Sequence, residues 1–246
     1  MERRRNRADI GGTAGPVWLW GTHATEAARA NKDRKVHQIV ATANAARRLA
    51  LSAADIVDAK ELERLLPAGA VHQGVAIHVD PLPGLELSDL IETAPDRLAV
   101  LDQISDPQNL GAIFRSAAAF GFEGLILQTR HAPPISGIVA KTAAGAIEHV
   151  IECRVVNIAR SLEALADAGY VTIGLAGEAT ETVTNLSKSG TKTAIVLGAE
   201  GAGLRPAVRK ACTVLGKIPM SPTVESLNVS NAAAIAFHTL AAETYS

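Results

Sequence analysis

Three short polar stretches carry the side chains with which this sequence could do chemistry. The first is DPQNLGAIFR, Asp106 to Arg115, which puts an amide (Asn109) and a guanidinium (Arg115) six residues apart. The second is LGAEGAGL, Leu197 to Leu204, where Glu200 stands among Gly198, Gly201 and Gly203. The third joins IPM, Ile218 to Met220, to SLNVSNA, Ser226 to Ala232. Amides, hydroxyls, one carboxylate and one guanidinium are groups that orient a polar substrate and grip an anion. Asn109 can cap the helix that follows it, and Leu110, Ile113, Phe114 and Ala117 make a buried stripe that leaves Arg115 outside. An arginine within two turns of a helix start opposes the helix dipole, so a nearby anion would account for it as well as a surface position does. In the third stretch either Ser226 or Asn228 suffices as a cap, and the other polar groups are left for a ligand.

Familiar catalytic schemes find no support. The seven histidines show neither HExxH nor any other metal-ligand spacing. There is no GxSxG elbow, Glu200 has no partner carboxylate for glycoside chemistry, and no Walker lysine follows the glycines. The glycine turn also falls on the fifth strand-like segment of its half, whereas a dinucleotide fingerprint opens the first. Cys153 and Cys212 lie far apart in apolar segments and read as buried small hydrophobes in a reducing compartment. No apolar run approaches the ~18 residues of a membrane span, and no signal peptide is visible, which predicts a cytoplasmic protein.

The elements that must position these groups are legible as two regions. With 48% hydrophobic but only 3% aromatic residues, the core is aliphatic, which suits strands buried on both faces. A net charge of −1 leaves any polyanion to be met by a local basic patch. Residues 1–15 read as a disordered basic arm with Arg3, Arg4, Arg5 and Arg7. Residues 16–80 alternate strand and helix as a small unit, VWLWG first and GAVHQGVAIHV last. Its Arg29, Lys32, Arg34, Lys35, Arg47 and Arg48 are candidates for a positive surface. Residues 81–96, with three prolines and several acids, read as a linker. From 97 to 246 six strand-like segments alternate with helices, Asn157 and Gly169 bracketing one as N-cap and C′ glycine. That pattern predicts an α/β fold with an open, mostly parallel sheet. In such sheets ligands bind beyond the carboxyl ends of the strands, where all three polar stretches fall.

Taken together and in this order, the stretches resemble the three motifs of the SpoU (TrmH-type) family of RNA ribose 2′-O-methyltransferases, in the SPOUT superfamily. NLGAIFRSA resembles the first, LGAEGAGL the second and IPMSPTVESLNVSNAAAI the third. The N-terminal unit is similar to the L30-like substrate-binding domain of the ribosomal branch. The resemblance implies a catalytic domain tied in a trefoil knot, and a methyl group taken from S-adenosyl-L-methionine. It implies cofactor contacts at Gly198, Gly201, Ile218, Met220 and Leu227, and a reaction centre lined by Asn109, Arg115, Glu200, Ser226 and Asn228. It also implies a homodimer through the last helix, with Ala232, Ile235, Ala236 and Thr239 as a compatible face, and 23S rRNA as partner, at a guanosine of the peptidyl-transferase P loop. Gln108 stands where the family often has His, and Phe114 where Leu is common. A tRNA or other rRNA ribose methyltransferase and a catalytically silent ribosome-assembly factor are the competing readings.

Overall fold

The computed structural model describes residues 15–186 and 190–242. Of the basic arm at 1–15, residues 1–14 lie outside them. In the small unit, β1 (Val17–Trp20) leads into α1 (Thr22–Ala30), then β2 (Val36–Ala41), α2 (Ala43–Arg48), β3 (Asp55–Ile56), α3 (Ala59–Leu65) and β4 (Val75–Val79). The strands form a four-stranded sheet in the order β1-β4-β2-β3, antiparallel except for β2 with β3. Residues 81–96, read as a linker, carry α4 (Leu87–Glu92), whose Leu90 is fully buried in the core of the large unit.

The large unit continues with β5 (Arg97–Leu101), α5 (Pro107–Ala119), β6 (Gly124–Gln128), α6 (Gly137–Ala143), a 3-10 turn at Ala146–Glu148, β7 (Ile151–Val155) and α7 (Ile158–Asp167). Then come β8 (Val171–Leu175), β9 (Glu181–Thr182), α8 (Val183–Leu186), β10 (Thr193–Leu197), α9 (Pro206–Ala211), β11 (Val214–Lys217) and α10 (Val229–Ala241). The sheet order is β7-β6-β5-β10-β8-β11-β9, and every neighbouring pair is parallel. A parallel sheet needs helices on both faces, and both faces are covered. Residues of α5, α6 and α10 share one core with the small unit's Leu19, Ile77 and Val79, while α4, α7 and α9 build the other. The aliphatic runs of β5 and β10 are buried from Leu98 to Leu101 and from Ala194 to Leu197. Phe122 and Phe237 stack at 4.1 Å under α10, among the few aromatics in the chain. As expected, Asn157 caps α7, accepting from the Arg160 N–H, and Gly169 follows its end at φ 87°. Among the described residues no helix is long and apolar enough to cross a membrane.

The strand order has a switch point. From β5 the chain moves outwards through β6 and β7, then crosses to the other side of β5 and places β8, with β10 later filling the gap between them. A crevice opens where successive strands depart in opposite directions. The Asp102 N–H donates to the Leu197 carbonyl at 2.8 Å and ties the carboxyl ends of β5 and β10 together there.

The two units share more than a core. Arg34, expected on a positive surface, is buried: it donates to Glu148 through Nε (3.2 Å) and Nη2 (2.7 Å), and to the Asp80 carbonyl through Nη1 (2.8 Å). Asn31 adds a bond to the same carboxylate at 2.8 Å. A buried charge is tolerated only when paired and hydrogen-bonded, and this carboxylate receives three donors. The other five basic residues of that patch are exposed, with Lys35 beside Asp80 at 3.2 Å. At Gly137 the Trp20 ring lies so near that a Cβ would stand 1.8 Å from Cζ3, so the small sheet docks flat on α6 only over a glycine.

Candidate active site

α5 begins after β5. Pro107 occupies its first turn, and the residue before such a proline is the natural cap. Accordingly Asp106, not Asn109, caps α5, accepting from the N–H groups of Gln108 (3.1 Å) and Asn109 (3.3 Å). The expectation of Asn109 as cap is corrected: it sits inside the first turn, with its side-chain amide free for other work. Arg115 is the ninth helical residue, past the first turn where the dipole acts, so the expected conflict with the dipole is also corrected.

α10 begins after β11, and here Asn228 is the cap. Its Oδ1 accepts from the Ser230 N–H at 2.9 Å and from the Ser230 hydroxyl at 2.6 Å. Those two donors fix which way the amide faces, because only the oxygen can accept. The Nδ2 group is thereby aimed at Asn109 Oδ1 (3.0 Å) and at Glu200 Oε1 (3.5 Å). Residues 119 and 28 positions away from Asn228 thus meet at one amide, Asn109 from the first turn of α5 and Glu200 from the turn after β10. Asn109 and Asn228 are half-buried and Glu200 is exposed, so the network opens to solvent on the carboxylate side.

The glycine turn is a tight return of the chain. The Gly203 N–H donates to the Ala199 carbonyl at 2.8 Å, and the returning backbone lies directly over Gly198. A Cβ on Gly198 would stand 2.2 Å from the Gly203 carbonyl carbon, which no side chain can accommodate. A further bond the sequence did not reveal anchors this turn to β5. Asp102, fully buried, accepts from Arg205 Nε (2.8 Å), Nη2 (2.7 Å) and backbone N–H (3.0 Å). Burial, with the Asp102 charge behind it, pushes the nearby Cys212 thiol up to about 11, and burial pushes Cys153 up to about 12. Both thiols therefore stay protonated near neutrality and are poor nucleophiles.

Not every candidate joins the network. Gly201 is exposed at φ 77° on the glycine turn, Ile218 is packed against the core, Leu227 is half-buried, and Met220 is 40% exposed. Ser226 is exposed and is not the cap. Arg115 lies six residues beyond Asn109, roughly 9 Å along α5 and about a third of a turn round it. It faces instead a cleft with His23 and His149. Of α10's expected face, Ala236 is buried in the core, whereas Ile235 is 42% exposed between half-buried Ala232 and Thr239. Sequence reasoning missed Asp102 and Arg205, which carry no local signal, and counted Ser230 only among the polar groups of the third stretch. Among the described residues no group of His, Cys, Asp and Glu is placed to hold a metal ion.

Comparison with known proteins places these features in a family. Residues 96–238 match the SpoU rRNA Methylase family, and residues 18–84 match the RNA 2′-O ribose methyltransferase substrate-binding domain. An uncharacterised tRNA/rRNA methyltransferase of Synechocystis sp. is 37% identical over 236 residues, 89% of this chain and 61% of that one. The chain spans less than two thirds of the length of such uncharacterised relatives. The 23S rRNA (guanosine-2′-O-)-methyltransferase RlmB of Vibrio vulnificus is 42% identical over 171 residues, 68% of this chain and 69% of its own. The crystal structure of the SpoU methyltransferase AviRb from Streptomyces viridochromogenes, in complex with the cofactor AdoMet, superposes with a TM-score of 0.78 at 25% identity. That match covers 95% of this chain and 92% of that one. The parallel sheet, the strand-end network and a match over more than half the sequence have one conclusion: this chain belongs to the SpoU rRNA methylase family.

Proposed function

We propose that this chain transfers a methyl group from S-adenosylmethionine to a ribose 2′-hydroxyl of RNA, and that the ribose belongs to a guanosine of 23S rRNA in the P loop. The observation that carries this reading is the amide of Asn228, which gathers Asn109 and Glu200 at the switch point of a parallel sheet. The RlmB likeness supports ribosomal RNA over tRNA, and the substrate-binding match over 18–84 supports an RNA substrate.

The chain's residues fit the cofactor. Met220 is an exposed apolar side chain on the segment between β11 and α10, and the glycine turn is open at Gly201. Gly198, Gly201, Ile218, Met220 and Leu227 would hold it, largely through backbone and apolar contact. When bound, it supplies a methyl group on a positively charged sulfur. The chain's task is to align the hydroxyl with that methyl, an entropic contribution that reaches about 7–11 kcal/mol in the best intramolecular cases. Asn109 and Asn228, locked to each other, present a fixed polar edge to the ribose; Glu200 stands at its open side, and Ser226 would reach the ribose from the exposed segment before α10. Arg115 cannot accept the hydroxyl proton, since a guanidinium has no acceptor and stays charged. It holds an RNA phosphate, and a phosphate oxygen or water takes the proton.

Arg115 lies round α5 from the network, so the copy that delivers it to a given reaction centre is the second of a homodimer. The exposed Ile235 on α10, which packs along α5, supports pairing there. The knot the family implies is part of the same reading, supported by the late insertion of β10 between β5 and β8.

The test is methyl transfer from labelled S-adenosylmethionine to unmodified 23S rRNA and bulk tRNA, side by side, with nucleoside analysis. A 2′-O-methylguanosine peak from rRNA alone is expected. Label in tRNA would keep the chemistry and overturn the substrate. Donor binding without label in either RNA would favour the silent assembly factor. For the dimer, Ile235→Asp is expected to halve the mass measured by light scattering.

A further inference from the structure

Between the two units, where α1 approaches α5 and the turn after α6, lies a cleft of ≈ 330 Å³. Its floor is alanine: Ala27, Ala118 and the turn from Ala143 to Ala146. Its polar groups are three, Arg115, His23 and His149, all on exposed residues. No carboxylate lines it, in a chain with 25 acidic residues against 24 lysines and arginines. Among the described residues none of these three side chains has a hydrogen bond or ion pair. Elsewhere the arginines that hold the fold together each have a carboxylate: Arg34 has Glu148, Arg154 has Glu152, Arg205 has Asp102 and Arg209 has Glu178. Arg115 differs from them in being left free beside two other donors.

We propose that this cleft binds a phosphodiester of the RNA backbone, with His23 and His149 as binding residues alongside Arg115. The proposal rests on the RNA reading above and adds to it a site shared by both units. A guanidinium forks onto two phosphate oxygens, and an imidazole offers at least one N–H in either charge state. Three such donors round one concavity suit a tetrahedral anion whose oxygens point in several directions. The alanine floor leaves room for the sugar that a phosphodiester brings with it, and the volume is at the lower end of the roughly 300–1,000 Å³ of small-ligand sites. Because His23 belongs to α1 and His149 to the segment before β7, a phosphate held here spans the junction. It registers the strand against the catalytic unit while the small unit grips its flank. Phosphate contacts of this kind position a nucleic acid without reading its sequence.

The test measures binding of an unmodified 23S rRNA transcript over a range of salt, for the whole protein and for His23→Ala/His149→Ala. The double variant is expected to weaken binding about tenfold across the salt range, because two N–H donors to the phosphate are lost. Its S-adenosylmethionine affinity and melting temperature stay unchanged, while KM for RNA rises. His23→Gln/His149→Gln, which keeps side-chain donors, recovers part of the affinity. Ala118→Glu, which sets a carboxylate on the floor, weakens RNA binding further than the double alanine variant while leaving S-adenosylmethionine binding intact. Unchanged RNA affinity in the double variant, with wild-type protein active, would overturn the cleft alone. Wild-type protein that bound no RNA would overturn the RNA reading and this site with it.

Discussion

Helices α5 and α10 are both 13 residues long, pack on each other, and begin with a side-chain cap at the same end of the sheet. Their caps differ in one atom. Asp106 has only acceptors, and both of its oxygens receive backbone N–H groups of its own helix. Asn228 does the same local work with one oxygen and keeps an NH2 group, which reaches Asn109 and Glu200. The difference teaches that a cap need not be structural or functional. An amide can start a helix and draw two distant polar side chains together at once, and its capping bond is what prevents it from flipping.

Three substitutions test that contrast. The largest effect is expected from Asn228→Asp, which retains an acceptor for the Ser230 N–H but turns a second oxygen towards Asn109 Oδ1 and Glu200. Methyl transfer in single-turnover assays should fall about 10²-fold, the scale for loss of one preorganised donor, with little change in melting temperature. Wild-type turnover in this variant would show that the spare NH2 group is idle. Next comes Asp106→Ala, which removes a cap and should cost about 1 kcal/mol, or roughly 2–4 °C by calorimetry. Activity should fall far less than in Asn228→Asp. The smallest effect belongs to Asp106→Asn, which keeps the acceptor: thermal stability within about 0.5 kcal/mol of wild type and unchanged turnover. If Asp106→Asn impaired methyl transfer as much as Asn228→Asp, the contrast between the two caps would collapse.

Much of this was legible beforehand. The runs LAVLDQ, GLILQ and KTAIVLG became β5, β6 and β10 because an unbroken aliphatic strand has few alternatives to the middle of a parallel sheet. The two-residue strands β3 and β9 and the short helices α4 and α8 were not legible, since two to six residues carry too little periodicity to stand out from a loop. The cap of α5 was misplaced although Pro107 announced it, because Asn109 drew attention for its chemistry. Arg34 was read as surface because burial of an arginine depends on Glu148, 114 residues away. The pairing of Asp102 with Arg205 is hidden for the same reason, at a separation of 103. Residue type and spacing brought Asn109, Glu200 and Asn228 to notice; that they share one amide while Arg115 faces elsewhere depends on the packing of α5.

The contact of Asn31 and Arg34 with Glu148, with the Trp20 ring over Gly137, bears on how such enzymes can be taken apart and recombined. A fragment cut after residue 84 to obtain a minimal methylase would carry a carboxylate stripped of its three donors and a glycine hollow stripped of its indole. Grafting another N-terminal module onto the large unit would meet the same obstacle. A chimera would have to import an equivalent of Asn31 and Arg34, or replace Glu148 by an apolar residue of similar size, before its new specificity could be judged at all.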